Sequence, residues 1–535
     1  MLFNCKVKSM KRLVLVVVWV NALALLSGYA QSDVTARVTV GENESWFVGV
    51  ITQGNLQPIA DGYTVDLHDN CYGNQAQPLM LSTKGRVVWS EEPFALKRTG
   101  NTILLTKKTG AFQVATGGKT LRDAYHYASQ NFFPPSGKTP HHELFSSPQY
   151  NTWIELLYNQ NQKDVLEYAK AIIDNGFPPG VIMIDDNWQE DYGTWKFREG
   201  RFPNPTAMVD TLHRWGFKVM LWVCPFISPD SEVYRKLEAE DMLMKDADGL
   251  PKMVRWWNGV SAVLDLSDPN AVAWFHGELK GIMKNHHIDG FKLDAGDPEY
   301  YVNAIGDKPL TPNEHAELFN KIGLEYEFNE YRAAWKMGGQ PLAQRLRDKG
   351  HTWGDLQKLI PDILLQGIMG YPFTCPDMIG GGEMGSFLST ETINQKLVVR
   401  SAQCHALMPM MQFSVAPWRI LDENHLQAIK ASISLRAKYS KEIESLVAHA
   451  AKSGEPIVRL MEYEFPNQGM EKITDQYMLG SSILVAPILT EADQRTVVLP
   501  AGKWTNMVTG KVITGPKKVT VTAPLDVLPF FVKKK

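Results

Sequence analysis

The chain of 535 residues has little that would mark a redox or electrostatic specialist. It holds five cysteines, none at metal-ligand spacing. Four of them, Cys71, Cys224, Cys375 and Cys404, lie beyond the N-terminal segment. A chain this long needs no disulfide staples, so these four are expected to be buried as small hydrophobes. The formal charge is −3, from 55 Lys and Arg against 58 Asp and Glu. That balance points away from nucleic acid and from anionic membrane surfaces. No strand-like run leads into a glycine-rich phosphate loop, which argues against a nucleotide-binding α/β fold. There is no internal repeat and no low-complexity segment.

Long apolar runs are equally scarce. The one from Leu13 to Leu26 follows Lys6, Lys8, Lys11 and Arg12 and precedes Gly28 and Ala30. That is the pattern of an export signal cleaved after Ala30, and a start at Met10 gives it a more usual length. A membrane anchor is the competing reading, but the run is short for a span of about 20 residues and no stop-transfer charges follow. The expectation is a signal peptide over residues 1–30, a secreted or periplasmic mature protein and no membrane insertion after cleavage.

What is present is material for a large core: 44% hydrophobic residues, with 15 Trp, 18 Tyr and 22 Phe. The length suits three or four domains. Many aromatics stand beside Asp and Asn, which suits sugar recognition, although most must be core. Residues 31–145 read as a β-sandwich: Val34 to Val40 alternates, and short β-branched runs recur between Gly and Asn turns. A breaker cluster from Pro134 to Pro140 closes that region. From 146 to 450 the texture becomes strand, helix, strand. Thr152–Tyr158, Gly180–Asp185, Lys218–Cys224, Ile288–Leu293 and Tyr331–Trp335 read as strands, and Arg345–Trp353 as a polar loop. Near-continuous apolar strands between helices indicate a parallel sheet. Polar residues gather at their ends (Asp185, Asp186, Trp222, Asp294), as on the catalytic face of a barrel. An open doubly wound sheet is the alternative. Residues 451–535 read as β again.

The chemistry centres on Gly290-Phe-Lys-Leu-Asp-Ala-Gly-Asp297. Lys292 and Asp294 lie two apart on one strand, so both side chains project to one face, and the cation favours the carboxylate form. Asp294 therefore suits the ionised, attacking member of the carboxyl pair that acetal hydrolysis requires. The bland reading is a strand-end Asp that starts a turn. For the proton-donating partner, Asp348, Asp185, Asp297 and Asp377 are all open on residue chemistry alone.

Lys292-x-Asp294-x-Gly296, Asp348 with Trp353 five residues on, and Pro376-Asp-Met-Ile-Gly-Gly381 together resemble glycoside hydrolase family 31. So do Tyr477-Met-Leu-Gly480, Val485-Ala-Pro487 and Leu499-Pro-Ala-Gly-Lys-Trp504. The resemblance runs from about residue 150 to the end. It implies a (β/α)₈ TIM barrel with an N-terminal β-sandwich and a C-terminal β-domain, and retaining hydrolysis of α-glycosides without metal or cofactor. By motif, Asp294 matches the nucleophile and Asp348 the acid/base. Asp185, Asp186, Trp222, Arg332 and Asp377 fall where the family holds the −1 sugar, with Lys292 beside them. A strand tryptophan such as Trp222 is more often core, and which of Asp185 and Asp186 faces the sugar is open. Trp256, Trp257 and Asn258 fall in an insertion near the site, as an aromatic sugar platform or as surface packing.

Many α-glucosidases of the family carry a His before a Pro-Trp pair, and Met411–Trp418 lacks it. Phe291–Asp297 with Cys375-Pro-Asp-Met378 looks more like the α-galactosidase branch. The expected function is a retaining exo-α-glycosidase acting on terminal α-linked sugars of an oligosaccharide or glycoside, specifically an α-galactosidase. The alternatives are an α-glucosidase or α-xylosidase, and, in another class, a non-catalytic carbohydrate-binding protein. A metal-dependent hydrolase built on His141, His142, His286 and His287 is disfavoured, since adjacent side chains are expected to diverge.

Overall fold

A computed structural model describes residues 33–534 apart from Thr390 and Thr392. The expected signal segment lies outside the described residues. At the centre stand eight parallel strands, numbered here as they occur in the barrel. They are β1 Gln149–Asn151, β2 Val181–Ile184, β3 Lys218–Val223, β4 Gly290–Leu293, β5 Phe328–Tyr331, β6 Gln344–Arg345, β7 Thr374–Cys375 and β8 Gln412–Phe413. Their spatial order is β7-β6-β5-β4-β3-β2-β1-β8. The remaining gap is bridged beyond β7, where the Ile379 N–H donates to the Gln412 carbonyl at 2.9 Å. The sheet thus curls into a TIM barrel, not an open doubly wound sheet.

Strands β2 to β5 are buried along nearly their whole length, which is why β2 to β4 read as near-continuous apolar runs, broken in β4 by Lys292. At Gly290 a side chain is sterically excluded: a Cβ there would lie 2.0 Å from the Phe328 carbonyl oxygen of β5. The glycine lets β4 and β5 pair in register, Gly290 opposite Phe328 and Lys292 opposite Glu330.

Three sequence expectations fail in detail. The run from Thr152, read as the first strand, is largely a short helix, Trp153–Leu156. Asn151 stops the strand before it by accepting the Trp153 N–H at 2.8 Å, an Asx turn. The strand expected at Tyr331–Trp335 ends at Tyr331. Ala334–Trp335 leaves the barrel and pairs with the N-terminal strand Gln75–Ser82. The loop expected from Arg345 starts inside the barrel, because Arg345 is itself the end of β6.

The N-terminal region is two β-sheets, of which one takes in Trp46–Val50, Gln75–Ser82 and Arg86–Trp89. It also holds a helix that the all-β reading missed, Leu121–Phe132. Thr120 and Asp123 close its first turn as a capping box, and Phe132 stacks on Trp89 at 5.1 Å. The C-terminal region is a six-stranded sheet with its own core around Trp504 and Phe531. A long helix, Glu423–Ser453, follows β8. It is pinned to the barrel by buried Arg436, which donates to the carbonyls of Phe145, Met408 and Pro409. Cys71, Cys224, Cys375 and Cys404 are buried, as expected, and are free thiols.

Candidate active site

A pocket of about 270 Å³ opens at the C-terminal ends of the strands, lined by Asp185, Asp186, Trp222, Lys292, Asp294, Arg332 and Asp348 among others. Size and position suit a small-ligand site on a barrel. Two of the expected carboxylates, Asp294 and Asp348, distant in sequence, therefore face one cavity.

Asp294 is the first residue beyond β4. Ala295 follows with φ 57° and Gly296 with φ 70°. The left-handed turn is uncommon for a residue with a side chain. It brings the Ala295 N–H onto Asp294 Oδ1 at 2.8 Å. Arg332 Nε donates to the same oxygen at 2.9 Å, and Trp222 Nε1 to Oδ2 at 3.1 Å. Lys292 Nζ stands 3.9 Å from Oδ2. Burial would raise the pKa of this carboxyl, but Arg332, then Lys292 and Arg345, hold it well below the usual carboxylate range. Asp294 is thus a buried, fixed, ionised carboxylate. Trp222, whose bland reading was core packing, touches it directly.

Arg332, just past β5, is shared. Its Nη1 and Nη2 grip Asp297 at 3.0 and 2.7 Å while Nε serves Asp294. Asp297 is therefore a clamp for Arg332 and leaves the contest for proton donor. Lys292 is 4% exposed and donates to Asp185 at 2.6 Å. Asp185 is thus ion-paired with that ammonium. Asp186 instead accepts from Gln189, Tyr192 and Asn258. Burial and the charge of Asp185 push the Asp186 carboxyl up to about 7. Both aspartates line the pocket.

Asp348 lies three residues past β6, its side chain 38% exposed. The three neighbouring cations of the sequence do not act together. Arg345 Nη1 donates to Asp348 at 2.7 Å, whereas Lys349 turns away to Asp362 at 2.8 Å and Arg347 is exposed. Asp377, expected to contact the sugar, is 1% exposed and is not part of the pocket lining. It accepts from the Lys349 and Gly382 N–H groups and from Arg345. It thereby fixes the loop that carries Asp348. Burial and the charge of Asp348 push Asp377 up to about 7.

Trp256 and Trp257 belong to a hairpin, Met253–Trp256 with Gly259–Val263, inserted after β3. Trp256 is buried and stacks on Trp222 at 6.4 Å. Trp257 is 49% exposed, lines the pocket and sits over the Arg332 guanidinium at 5.6 Å. Asn258 fastens the hairpin tip to Asp186 and to Tyr192. Sequence reasoning missed three wall residues, Trp153, Tyr158 and Met384. Trp153 follows β1 by two residues, and correct placement of that strand would have found it. At the end of β8 the small Ser414 accepts the Ile154 N–H at 2.7 Å. It belongs to the segment in which many α-glucosidases of the family have a histidine.

Adjacent His141 and His142 do not diverge as expected: their rings lie 4.7 Å apart, and both approach Glu143. The cluster nonetheless sits where β5 begins, since the His141 ring stacks on Phe328 and its N–H meets the Glu327 carbonyl. That is the opposite end of the barrel from the pocket.

Comparison with known proteins agrees with this geometry. The profile of the glycosyl hydrolases family 31 TIM-barrel domain matches residues 147–440, and that of the family's C-terminal domain matches residues 454–535. The myogenesis-regulating glycosidase of Mus musculus is 32% identical over 400 residues, covering 72% of this chain and 56% of that protein. Alpha-glucosidase 2 of Bacillus thermoamyloliquefaciens is 27% identical over 409 residues, 70% of this chain and 51% of that one. The chain thus spans about half the length of the curated relatives it matches. Among solved structures, a family 31 dextranase of Flavobacterium johnsoniae complexed with glucose superposes with a TM-score of 0.84 at 22% identity, over 94% of this chain and 66% of that one.

Proposed function

The chain belongs to glycosyl hydrolase family 31, and on that premise we propose that it is a retaining exo-α-glycosidase, specifically an α-galactosidase, working through Asp294 and Asp348. The observation that carries this reading is that the two carboxyl groups share a pocket in opposed settings. Asp294 is buried among cations and hydrogen-bond donors, whereas Asp348 is partly exposed with a single guanidinium beside it.

In the first step an oxygen of Asp294 attacks the anomeric carbon as its bond to the leaving oxygen breaks. Asp348 gives its proton to that oxygen. The result is a β-glycosyl ester on Asp294 and a free alcohol. In the second step Asp348 takes a proton from water, water attacks the same carbon and Asp294 is released, so the α configuration returns. Such a pair works with its carboxyl groups about 5–5.5 Å apart. Trp222 and Arg332 fix the Asp294 carboxylate. Asp185, Asp186 and Lys292 offer acceptors and a donor to sugar hydroxyls. Trp257 offers a ring face to the sugar on the leaving side. The pair is intact, which weighs against a non-catalytic carbohydrate-binding protein.

The galactoside preference rests on the absent histidine and on the form of the segments Phe291–Asp297 and Cys375–Met378. Epimers at O4 are separated by few hydrogen bonds, and unpaired buried polar groups make such differences large. A second reading, α-glucosidase or α-xylosidase, is favoured by the names of relatives such as alpha-glucosidase 2. Initial rates on nitrophenyl α-galactoside, α-glucoside and α-xyloside separate the two. We expect the galactoside to exceed the others by about tenfold or more in kcat/KM; a leading glucoside or xyloside would replace the galactosidase reading. Export through the N-terminal segment is part of the proposal.

A further inference from the structure

Charged side chains of alternating sign follow one another beneath the pocket. Asp185 pairs with Lys292 of β4 at 2.6 Å. Lys292 stands opposite Glu330 of β5 in the strand register. Glu330 Oε1 lies 3.3 Å from Arg345 Nε of β6, and Arg345 Nη1 reaches both Asp348 at 2.7 Å and Asp377 at 3.2 Å. Glu330 is 1% exposed, is absent from the pocket lining and takes no part in the steps above. Its Oε2 accepts from Gln412 of β8 at 2.8 Å, and Gln412 in turn donates to Gln149 of β1. A carboxylate buried this deeply is costly to retain unless its charge is matched.

The groups facing Arg345 are Glu330, Asp348, Asp377 and Asp294, with the Lys292 ammonium and the Cys375 thiol nearby. Those facing Glu330 are Arg345, Lys292, Gln412 and Asp185. Burial pushes the Glu330 carboxyl up, while Arg345, Lys292 and the Gln412 amide favour its charged form. Arg345 is thus held from below by Glu330 and from above by the loop carboxylates. A guanidinium favours the charged form of a carboxyl beside it unless an opposite charge offsets it, yet a general acid must carry a proton.

We propose that Glu330 is a positioning residue for the acid/base: it anchors Arg345 and offsets its charge, so that the guanidinium orients Asp348 without stripping its proton. This rests on the reading of Asp348 as acid/base. Glu330→Gln keeps the shape and one acceptor oxygen, able to accept from Gln412, and removes the charge. Arg345 then acts on Asp348 less opposed, the Asp348 proton leaves at lower pH, and the alkaline limb of the kcat/KM profile moves to lower pH. The shift should be about one pH unit for charges a few ångströms apart near the protein surface. Glu330→Asp withdraws the charge by one methylene and should move the limb in the same direction by less.

The experiment measures kcat/KM against pH for wild type, Glu330→Gln, Glu330→Asp and Asp348→Asn, with circular dichroism on each. An alkaline limb unmoved in Glu330→Gln, or moved to higher pH, overturns the proposal. If Glu330→Gln does not fold, the same criterion applies to Glu330→Asp. Loss of the limb in Asp348→Asn supports the acid/base reading independently. A wild-type limb in that variant would refute the reading itself, whatever the Glu330 variants do.

Discussion

Asp294→Asn should lose turnover by a factor on the order of 10⁴–10⁶, as removal of a covalent nucleophile does, with its fold intact. The neutral amide is a poor nucleophile and forms no stable ester. The neighbourhood supports the second half of the expectation. Arg332 keeps both of its hydrogen bonds to Asp297, and the Asn carbonyl can still accept from Trp222 or from the Ala295 N–H. No buried cation is stranded, so the cost of about 3–5 kcal/mol for breaking a buried pair is largely avoided. Rates on a nitrophenyl glycoside, with thermal unfolding of both proteins, check this. Undiminished hydrolysis would remove Asp294 from its role.

Asp348→Ala should behave differently, and the difference identifies a general acid/base. For a sugar leaving group, which needs a proton, the rate should fall by about 10²–10⁴-fold. For a dinitrophenyl leaving group, stable as an anion, the first step should be far less affected, and breakdown of the glycosyl ester becomes limiting. Azide needs no base to attack that ester. Added azide should restore much of the rate on the activated substrate and yield the α-glycosyl azide. A variant equally impaired on both substrates and indifferent to azide would give Asp348 a binding role. Arg345, left without this partner, keeps Glu330 and Asp377.

How legible this was in the sequence follows from what each strand buries. β2 and β3 are almost wholly apolar and β4 is apolar apart from Lys292, so all three could be read directly. β6, β7 and β8 are two residues long in the structure and bury the polar residues Gln344, Arg345, Thr374 and Gln412, of which Arg345 and Gln412 meet Glu330 inside the barrel. Neither period nor hydrophobicity marks such strands. The same polar interior hid Glu330, because a glutamate flanked by Asn329 and Tyr331 reads as surface until the register sets it beside Lys292. Asp294 was visible from its own strand. Asp348 was not: its partners come from β6 and from the loop after β7, and only the ordered family motifs singled it out. Trp153 was lost because Asn151 ends β1 with a side-chain turn that strand propensity does not register. Asp377 sat at a strand end like the others, yet one of its oxygens is taken up by backbone N–H groups and the other by Arg345, a use its position alone could not reveal.

Everything turns on whether a sugar becomes bonded to Asp294. The direct measurement is mechanism-based labelling with the 5-fluoro-α-glycosyl fluoride of whichever sugar the nitrophenyl panel selects, followed by peptide mass spectrometry. The account predicts a labelled peptide containing Gly290–Gly296 with the sugar esterified on Asp294, accumulating as turnover slows. A sugar found on Asp185, Asp348 or any other residue, or turnover to the β anomer with no covalent species, would contradict it.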